Sequence, residues 1–147
     1  MPITLRLALL LPRDASTVPV VRHILDQAMA SLGVATGCRD DISLILTEAC
    51  ANVIEHARAT DEYEIGVEVT DARCVIDVVH AGAVVDPVRL APPTDPVLLE
   101  ESGRGLQIIR ALADELYLTP ARQGGVILRA IATLHWQPSK PAWDANT

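Results

Sequence analysis

Aromatic residues are scarce in this chain of 147 residues, which contains two tryptophans, two tyrosines and no phenylalanine. Few rings are therefore available to stack on nucleic-acid bases. Basic residues are also in the minority, with 12 lysines and arginines against 19 aspartates and glutamates and a net charge of −7. Because an acidic surface repels a phosphate backbone, the composition argues against direct nucleic-acid binding and favours a protein surface or a small ligand.

Cysteines and long apolar segments are few as well. Cys38, Cys50 and Cys74 form no Cys-x-x-Cys pair and are odd in number, so we interpret them as small core residues of a protein from a reducing compartment. The apolar run at the N-terminus is interrupted by Arg6 and is followed by no cleavage motif. No segment is long enough to span a membrane, and we expect a cytoplasmic location.

Aliphatic residues, by contrast, are abundant, since hydrophobic residues make up 50% of the chain. This fraction is enough for one domain with a single core built from Leu, Ile, Val and Ala. We predict a domain over residues 1–135. Residues 136–147 are polar and contain two prolines, and they are predicted to form a C-terminal tail.

Periodic apolar residues in the first third of the chain predict a strand followed by two helices. The alternation over residues 3–11 is typical of a strand with one buried face. Ser16 or Thr17 can cap a first helix, which is expected to end at Gly33. A second helix is predicted to begin near Asp40, because apolar residues follow it at helical spacing.

The rest of the chain predicts a hairpin, a long loop, a third helix and two more strands. The segments EIGVEVT and CVIDVV alternate like paired strands, whereas residues 81–102 contain four prolines and show no period. The third helix is expected from Gly105 to Glu115, with Leu116 on its apolar stripe. Because the helices are grouped, we predict an α/β fold of the α+β two-layer sandwich type. Its mixed, mostly antiparallel sheet of about five strands is covered on one face by about three helices.

Three polar residues recur at every fourth position of the second predicted helix. Glu48, Asn52 and His56 are each rotated by only about 40° from the previous one, so they form a polar row beside the apolar stripe. A carboxylate and an amide oxygen one turn apart suit a divalent cation with its water shell, and the carboxylate can act as a base. A solvated helix face is the alternative interpretation of the same row.

A second candidate is the glycine-rich stretch that opens the third predicted helix. Gly103, Arg104 and Gly105 allow a ligand to approach the backbone, and the start of the helix offers unpaired N–H groups. Phosphate is the ligand that this arrangement favours, whereas a flexible turn with a glycine cap is the structural alternative. A third stretch, the predicted strand that runs into His80 and Gly82, carries no chemistry by itself.

Taken in order, the three stretches resemble the N, G1 and G2 boxes of the GHKL superfamily of histidine-kinase-like ATPases. The patterns are Glu-x-x-x-Asn-x-x-x-His-Ala, then a strand followed by x-Gly-x-x-x-Asp-Pro, then Glu-x-Gly-Arg-Gly-Leu-x-Ile-Ile with Asp-Glu downstream. Order and spacing agree over about residues 3–134. Within the superfamily, the chain looks most like the small bacterial anti-sigma-factor serine/threonine kinases.

This resemblance implies a Bergerat-type fold that binds ATP with Mg²⁺, phosphorylates a serine or threonine of an antagonist protein and sequesters a sigma factor. By position, it implies that Glu48 is the general base and that Asn52 is the magnesium ligand. The other positions implied in nucleotide binding are His56, His80, Gly82, Gly103, Arg104, Gly105, Leu106 and Gly125. The implied partners are a sigma factor, an anti-anti-sigma protein of the STAS type and a second copy of the chain, since family members commonly form dimers.

The sequence departs from the family pattern at both ends of the implied nucleotide site. His80 replaces the aspartate of Asp-x-Gly-x-Gly that accepts a hydrogen bond from the adenine amino group, and Val84 replaces the second glycine. Val126 follows a glycine where the family often has a threonine near the phosphates. Two functions therefore stay open: an ATP-dependent kinase, or a nucleotide-independent partner-switching module with the same fold. A third function, a hydrolase that uses His56 with Glu48 or Glu55, has neither a nucleophile motif nor an oxyanion element beside it to support it.

Overall fold

The computed structural model describes residues 3–56, 62–80, 104–120 and 126–138. Five strands and three helices lie within these residues, in the order predicted from the sequence. In chain order they are β1 Ile3–Pro12, α1 Thr17–Leu32, α2 Thr36–His56, β2 Glu62–Thr70, β3 Arg73–His80, α3 Arg104–Leu112, β4 Glu115–Pro120 and β5 Val126–Thr133. The predicted loop over residues 81–102 and most of the predicted tail lie outside the described residues.

The five strands form one sheet in the order β1-β2-β3-β5-β4, and every described pairing is antiparallel. The prediction of a mainly antiparallel five-stranded sheet is therefore confirmed. Successive side chains in a strand point to opposite faces, so paired residues form rows across the sheet. Leu9, Ile65 and Val78 share a row on the inner face, and Gly66 lies beside Asp77 in a row on the outer face.

The helices cover the inner face of the sheet, and the core lies between the two layers. α2 contacts both α1 and α3 and lies over β3 and β5. The buried side chains are aliphatic almost throughout, and Ile45, Ile76 and Leu128 are among those with at most 1% of their surface exposed. Each such side chain stabilises the fold by about 1.5–3 kcal/mol. This burial joins the helical layer to the sheet and positions α2 and α3 against each other.

α1 begins and ends where the sequence predicts, but the side chain of Ser16, the residue before it, makes no capping hydrogen bond. Thr17 is its first residue, and Gly33 follows its last residue in the left-handed conformation, with φ of 94°. The Gly33 N–H donates to the carbonyl of Ala30 and closes the last turn. A residue with a Cβ is strained at that φ, so the glycine determines where the helix ends.

α2 begins at Thr36, four residues before the predicted start at Asp40. A tertiary contact explains the difference. Arg39 lies in the first turn, donates to Asp26 on α1 at 3.0 Å and donates to the carbonyl of Val34 at 3.2 Å. These bonds hold the first turn of α2 against α1, and no local apolar pattern predicts them.

α3 ends at Leu112, three residues before the predicted Glu115. Glu115 begins β4, and Leu116 is a buried strand residue with 6% exposure, so its assignment to the helical stripe was wrong. The carboxylate of Asp114 accepts a hydrogen bond from the N–H of Thr133 on β5. That bond ties the chain to the sheet before the helix can continue.

The chain beyond β5 returns to the end of α1. Trp136 forms an isolated β-bridge with Val34, and its indole N–H donates to the carbonyl of Asp71 at 2.8 Å. The predicted boundary between domain and tail at residue 136 stays a prediction. Among the described residues, no helix combines the length and the apolar character needed to cross a membrane.

Candidate functional site

Two of the predicted site residues, Glu48 and Asn52, lie one turn apart on the part of α2 that α3 approaches. Glu48 is half-buried, and Asn52 has only 4% of its surface exposed. The residues that follow them in sequence, Ala49 and Val53, are completely buried in the core. Glu48 and Asn52 therefore lie at the margin of the apolar stripe, as their helical spacing predicts.

Apart from Tyr63 and two cysteines, Asn52 is the one residue with a polar side chain that is buried among the described parts of the chain. Its Oδ1 atom is inaccessible and has no hydrogen-bond partner among the residues that the structure describes. A buried acceptor without a partner costs about 1–3 kcal/mol, because it has lost its water and gained nothing in return. The site thus contains an unused oxygen, and a hard divalent cation such as Mg²⁺, which prefers oxygen ligands, fits this requirement.

The first turn of α3 lies directly against Glu48. A Cβ atom added to Gly105 would be only 3.0 Å from Glu48 Oε2. The first turn of a helix has unpaired N–H groups and the positive end of the helix dipole, and both favour a negative charge nearby. Because Gly105 has no Cβ, the start of α3 can lie close to the Glu48 carboxylate. The sequence analysis proposed phosphate as the ligand of this helix start and did not predict the contact with Glu48.

The remaining predicted site residues fall into separate groups. Arg104 is exposed at the start of α3, whereas Leu106 is 1% exposed and belongs to the core. His56 and His80 are the last residues of α2 and β3, and only their backbone is described. The residues outside the described parts of the chain are Gly82, Gly103 and Gly125.

Sequence reasoning missed a buried hydroxyl contact between β2 and α1. Tyr63 on β2 is completely buried, and its hydroxyl lies 2.6 Å from Thr17 Oγ1 at the start of α1. Burial raises the pKa of Tyr63 to about 12, and the hydrogen bond with Thr17 partly opposes this. Burial likewise raises the pKa of Cys50, on α2, to about 12. Both groups are neutral at physiological pH, and a tyrosine on the buried face of a strand was the signal for such a contact.

A groove of about 420 Å³ lies on the outer face of the sheet, which the helices do not cover. Its lining includes Ala8, Leu10, Gly66 and Asp77, and none of the predicted site residues. Asp77 accepts two hydrogen bonds from Arg129, at 2.6 and 2.8 Å. Among the described residues, no three His, Cys, Asp or Glu side chains form a cluster that could hold a metal ion.

Comparison with known families identifies the domain to which most of the chain corresponds. The family model of the histidine kinase-like ATPase domain matches residues 11–132, which include Glu48, Asn52 and Gly105. The chain belongs to this family. A search of curated proteins gave no match. The superfamily that the three sequence boxes indicate is confirmed, and the two-layer fold is the one expected of a histidine kinase-like ATPase domain.

Proposed function

We propose that this domain binds ATP with Mg²⁺ in the cytoplasm, phosphorylates a serine or threonine of an antagonist protein and sequesters a sigma factor. The observation that supports the proposal most is the unpartnered Oδ1 of Asn52, one turn from a carboxylate that faces the first turn of α3. An unpartnered oxygen at the edge of an apolar core destabilises the fold. A magnesium ion that carries a triphosphate does need oxygen ligands from the protein.

Each of the described site residues would have a separate role in phosphoryl transfer. Asn52 would hold Mg²⁺ through Oδ1, and the ion neutralises charge on the phosphates when it is bound. Glu48 would accept the proton of the serine or threonine hydroxyl of the antagonist protein. The hydroxyl oxygen then bonds to the terminal phosphorus, and ADP leaves. The N–H groups at the start of α3 and the exposed Arg104 would bind phosphate oxygens. Because the reaction depends mainly on positioning and charge neutralisation, these groups suit it.

His80 favours a second function, in which the same fold binds its partners without nucleotide. It replaces the family aspartate that pairs with the adenine amino group, and losing that pairing costs on the order of 1–3 kcal/mol, or about ten- to a hundredfold in affinity. Val84 and Val126 remove a glycine and a hydroxyl from the same site. In this alternative, the domain sequesters a sigma factor or its antagonist and turns over no nucleotide.

Titration calorimetry with Mg-ATP and with Mg-GTP separates the two functions. We expect the wild-type protein to bind Mg-ATP in the micromolar range and Asn52→Ala to lose this binding, because the cation loses its protein ligand. Leu44→Ala is the matched control, since Leu44 is 42% exposed on the same helix and should not affect binding. Absence of heat with either nucleotide would contradict the kinase proposal and favour the nucleotide-independent module.

The His80→Asp variant tests where the adenine ring lies. It restores the acceptor that the family uses, so affinity for ATP should rise by about ten- to a hundredfold. Affinity for GTP should not rise, because guanine has a carbonyl oxygen where adenine has its amino group. An unchanged affinity for ATP would mean that the adenine does not lie at the end of β3.

A further inference from the structure

The middle of β2 contains a glycine that its surroundings in the described sheet do not explain. Gly66 pairs with Ala8 on β1 and with Asp77 on β3, and the register is regular at both pairings. Its φ is not positive, so a residue with a side chain could adopt the same backbone conformation. Among the described residues, a Cβ added to Gly66 would approach nothing closer than Asp77 Cβ at 3.9 Å, an ordinary van der Waals contact.

A glycine in the interior of a strand weakens that strand, because it packs no side chain and loses more conformational freedom on folding than other residues. Glycines at such positions commonly mark a bulge, a tight bend, or a place where a ligand or another backbone approaches closely. The regular pairing of Gly66 on both sides excludes a bulge there. Close approach of a group from outside the chain is therefore the interpretation that we develop.

The space above Gly66 is the groove of about 420 Å³ on the outer face of the sheet. Ala8 and Gly66 are neighbours in one row and form a low floor. Leu10 and Val79 lie two residues further along their strands, about 7 Å from the floor, and border it with aliphatic side chains. We call this site the outer-face groove, and its side chains and backbone come from Ala8, Leu10, Glu64, Gly66, Asp77 and Val79.

Glu64 gives the outer-face groove its charge. Its exposed side chain lies between Leu10 and Val79 in one row across the sheet. None of the ion pairs among the described residues includes Glu64. Asp77, by contrast, is neutralised by Arg129, which donates to both of its carboxylate oxygens at 2.6 and 2.8 Å. The outer-face groove therefore combines an apolar floor with one carboxylate that no described cation neutralises.

We propose that the outer-face groove binds an arginine side chain from a segment of a partner protein, in which aliphatic residues flank the arginine. The methylene stem of the arginine lies on the floor formed by Ala8 and Gly66, and the guanidinium donates hydrogen bonds to the Glu64 carboxylate. The flanking aliphatic residues contact Leu10 and Val79. The net charge of −7 attracts a basic segment to the domain and repels an acidic one.

The shape of the outer-face groove favours arginine over lysine. A guanidinium is planar and can donate two parallel hydrogen bonds to one carboxylate, whereas an ammonium group is a compact point charge. The guanidinium is also more weakly hydrated, so it moves more readily from water onto an apolar floor. A flat group can pass close to the backbone of Gly66, where a Cβ would hold it away. This close approach explains why a glycine occupies the middle of β2.

Peptide titration followed by NMR tests the proposal on the full ¹⁵N-labelled chain without nucleotide. The probe is the peptide acetyl-Leu-Arg-Leu-amide. We expect amide chemical shifts to change around Ala8, Gly66 and Asp77, with a dissociation constant of about 0.1–1 mM for this single short segment. The same peptide with citrulline in place of arginine keeps the shape and loses the charge, so it should bind at least about tenfold more weakly. The lysine peptide should also bind more weakly than the arginine peptide.

Two substitutions separate the floor of the groove from its charge. Gly66→Val fills the floor and should abolish the shift changes, while the temperature of unfolding should rise because valine suits a strand better than glycine. Glu64→Gln should weaken binding of the arginine peptide at least about tenfold. Asp71→Asn is the matched control, since it removes the same charge from the exposed turn between β2 and β3 and should leave the affinity unchanged.

Several results would overturn the proposal. They include no shift changes with about 5 mM arginine peptide, equal binding of the citrulline peptide, and unchanged binding to Gly66→Val. Equal weakening by Glu64→Gln and Asp71→Asn would show a general attraction to an acidic surface instead of a site. Shift changes at Gly66 that follow protein concentration without peptide would assign the outer-face groove to a second copy of the chain. None of these outcomes depends on nucleotide binding, so they stay distinct from a failure of the proposed kinase function.

Discussion

At the scale of single residues, the most informative feature is the buried side-chain oxygen of Asn52. The residue is nearly as buried as its aliphatic neighbours on α2, yet its Oδ1 has no partner among the described residues. A position of this kind ordinarily holds an aliphatic side chain, because burying an unpaired polar group destabilises the fold. Coordination of this oxygen by the proposed Mg²⁺ would remove the destabilisation.

The Asn52→Ala variant without nucleotide should separate a ligand role from a structural one. We expect its free energy of unfolding to change by less than about 1 kcal/mol, because removing an unsatisfied oxygen offsets the lost contacts. Ile45→Ala on the same helix, at 0% exposure, should cost about 2–5 kcal/mol. Urea unfolding followed by circular dichroism measures both changes. Equal losses in the two variants would indicate that the amide is a structural group.

Gly105→Ala tests the contact between α3 and Glu48. The new Cβ would lie 3.0 Å from Glu48 Oε2, and the flexible carboxylate would move away. Stability should change by less than about 1 kcal/mol, whereas the rate of the proposed phosphoryl transfer should fall at least about tenfold, because Glu48, the proposed base, loses its position.

Gly37→Ala is the control for this variant, since no atom lies within 4 Å of its added Cβ. Alanine is the better helix former, so this change should stabilise α2 by up to about 1 kcal/mol and leave transfer unaffected. Full phosphoryl-transfer activity in Gly105→Ala would argue against the positioning of Glu48 by this glycine.

At the scale of elements, charged pairs between neighbouring strands strengthen the uncovered face of the sheet. Asp77 on β3 and Arg129 on β5 lie opposite each other, and the guanidinium donates to both carboxylate oxygens. The hydrogen bonds with Asp77 raise the pKa of Arg129, which keeps the guanidinium charged. Pairs with two charge-assisted bonds are among the stronger polar interactions in proteins.

A double-mutant cycle of Asp77→Ala and Arg129→Ala should give a coupling energy of about 1–3 kcal/mol. The side chains are 24% and 20% exposed, so solvent screens the pair only in part. The comparison is Arg6 with Glu68, a pair that is 64% and 46% exposed and should couple by about 0–1 kcal/mol. Chemical unfolding of the single and double variants measures both energies. Similar coupling energies for the two pairs would show that burial does not determine the strength of either ion pair.

At the scale of the whole molecule, one aliphatic core joins the sheet to the helices. Cys50 on α2 and Cys74 on β3 lie inside it and are completely buried, whereas Cys38 is partly buried near the start of α2. Burial raises the pKa of both core thiols to about 12. The interpretation of the cysteines as small core residues is therefore confirmed for two of the three.

Thiol labelling at pH 8 should follow this difference in burial. A pKa of about 12 leaves only about 1 in 10⁴ molecules as the reactive thiolate, so Cys50 and Cys74 should react only when the core opens. One thiol should react with Ellman's reagent in the native protein, and Cys38→Ser should remove that reaction. The other two should become reactive together at the urea midpoint. Rapid reaction of two thiols in the native state would contradict a single cooperative core.

The elements that sequence reasoning predicted well are those that depend on local rules. Alternation along β1 and a glycine in the left-handed conformation at Gly33 determine structure without distant residues. The predicted start of α2 was wrong by four residues, and the predicted end of α3 was wrong by three. Each depends on a tertiary bond: Arg39 binds Asp26 on another helix, and the Asp114 carboxylate binds the backbone of β5.

The sequence by itself determined the polar row and the family, because the helical repeat places residues four apart on one side of a helix and because the three boxes occur in order. Only the tertiary structure decided that the oxygen of Asn52 finds no partner in the described parts of the chain and that Gly105 lies against Glu48. Both features arise because α2 and α3 pack their apolar faces together, which buries Asn52 and places Gly105 beside Glu48. The position of β1 at one end of the described sheet follows from the order of the strands, which no local pattern contains.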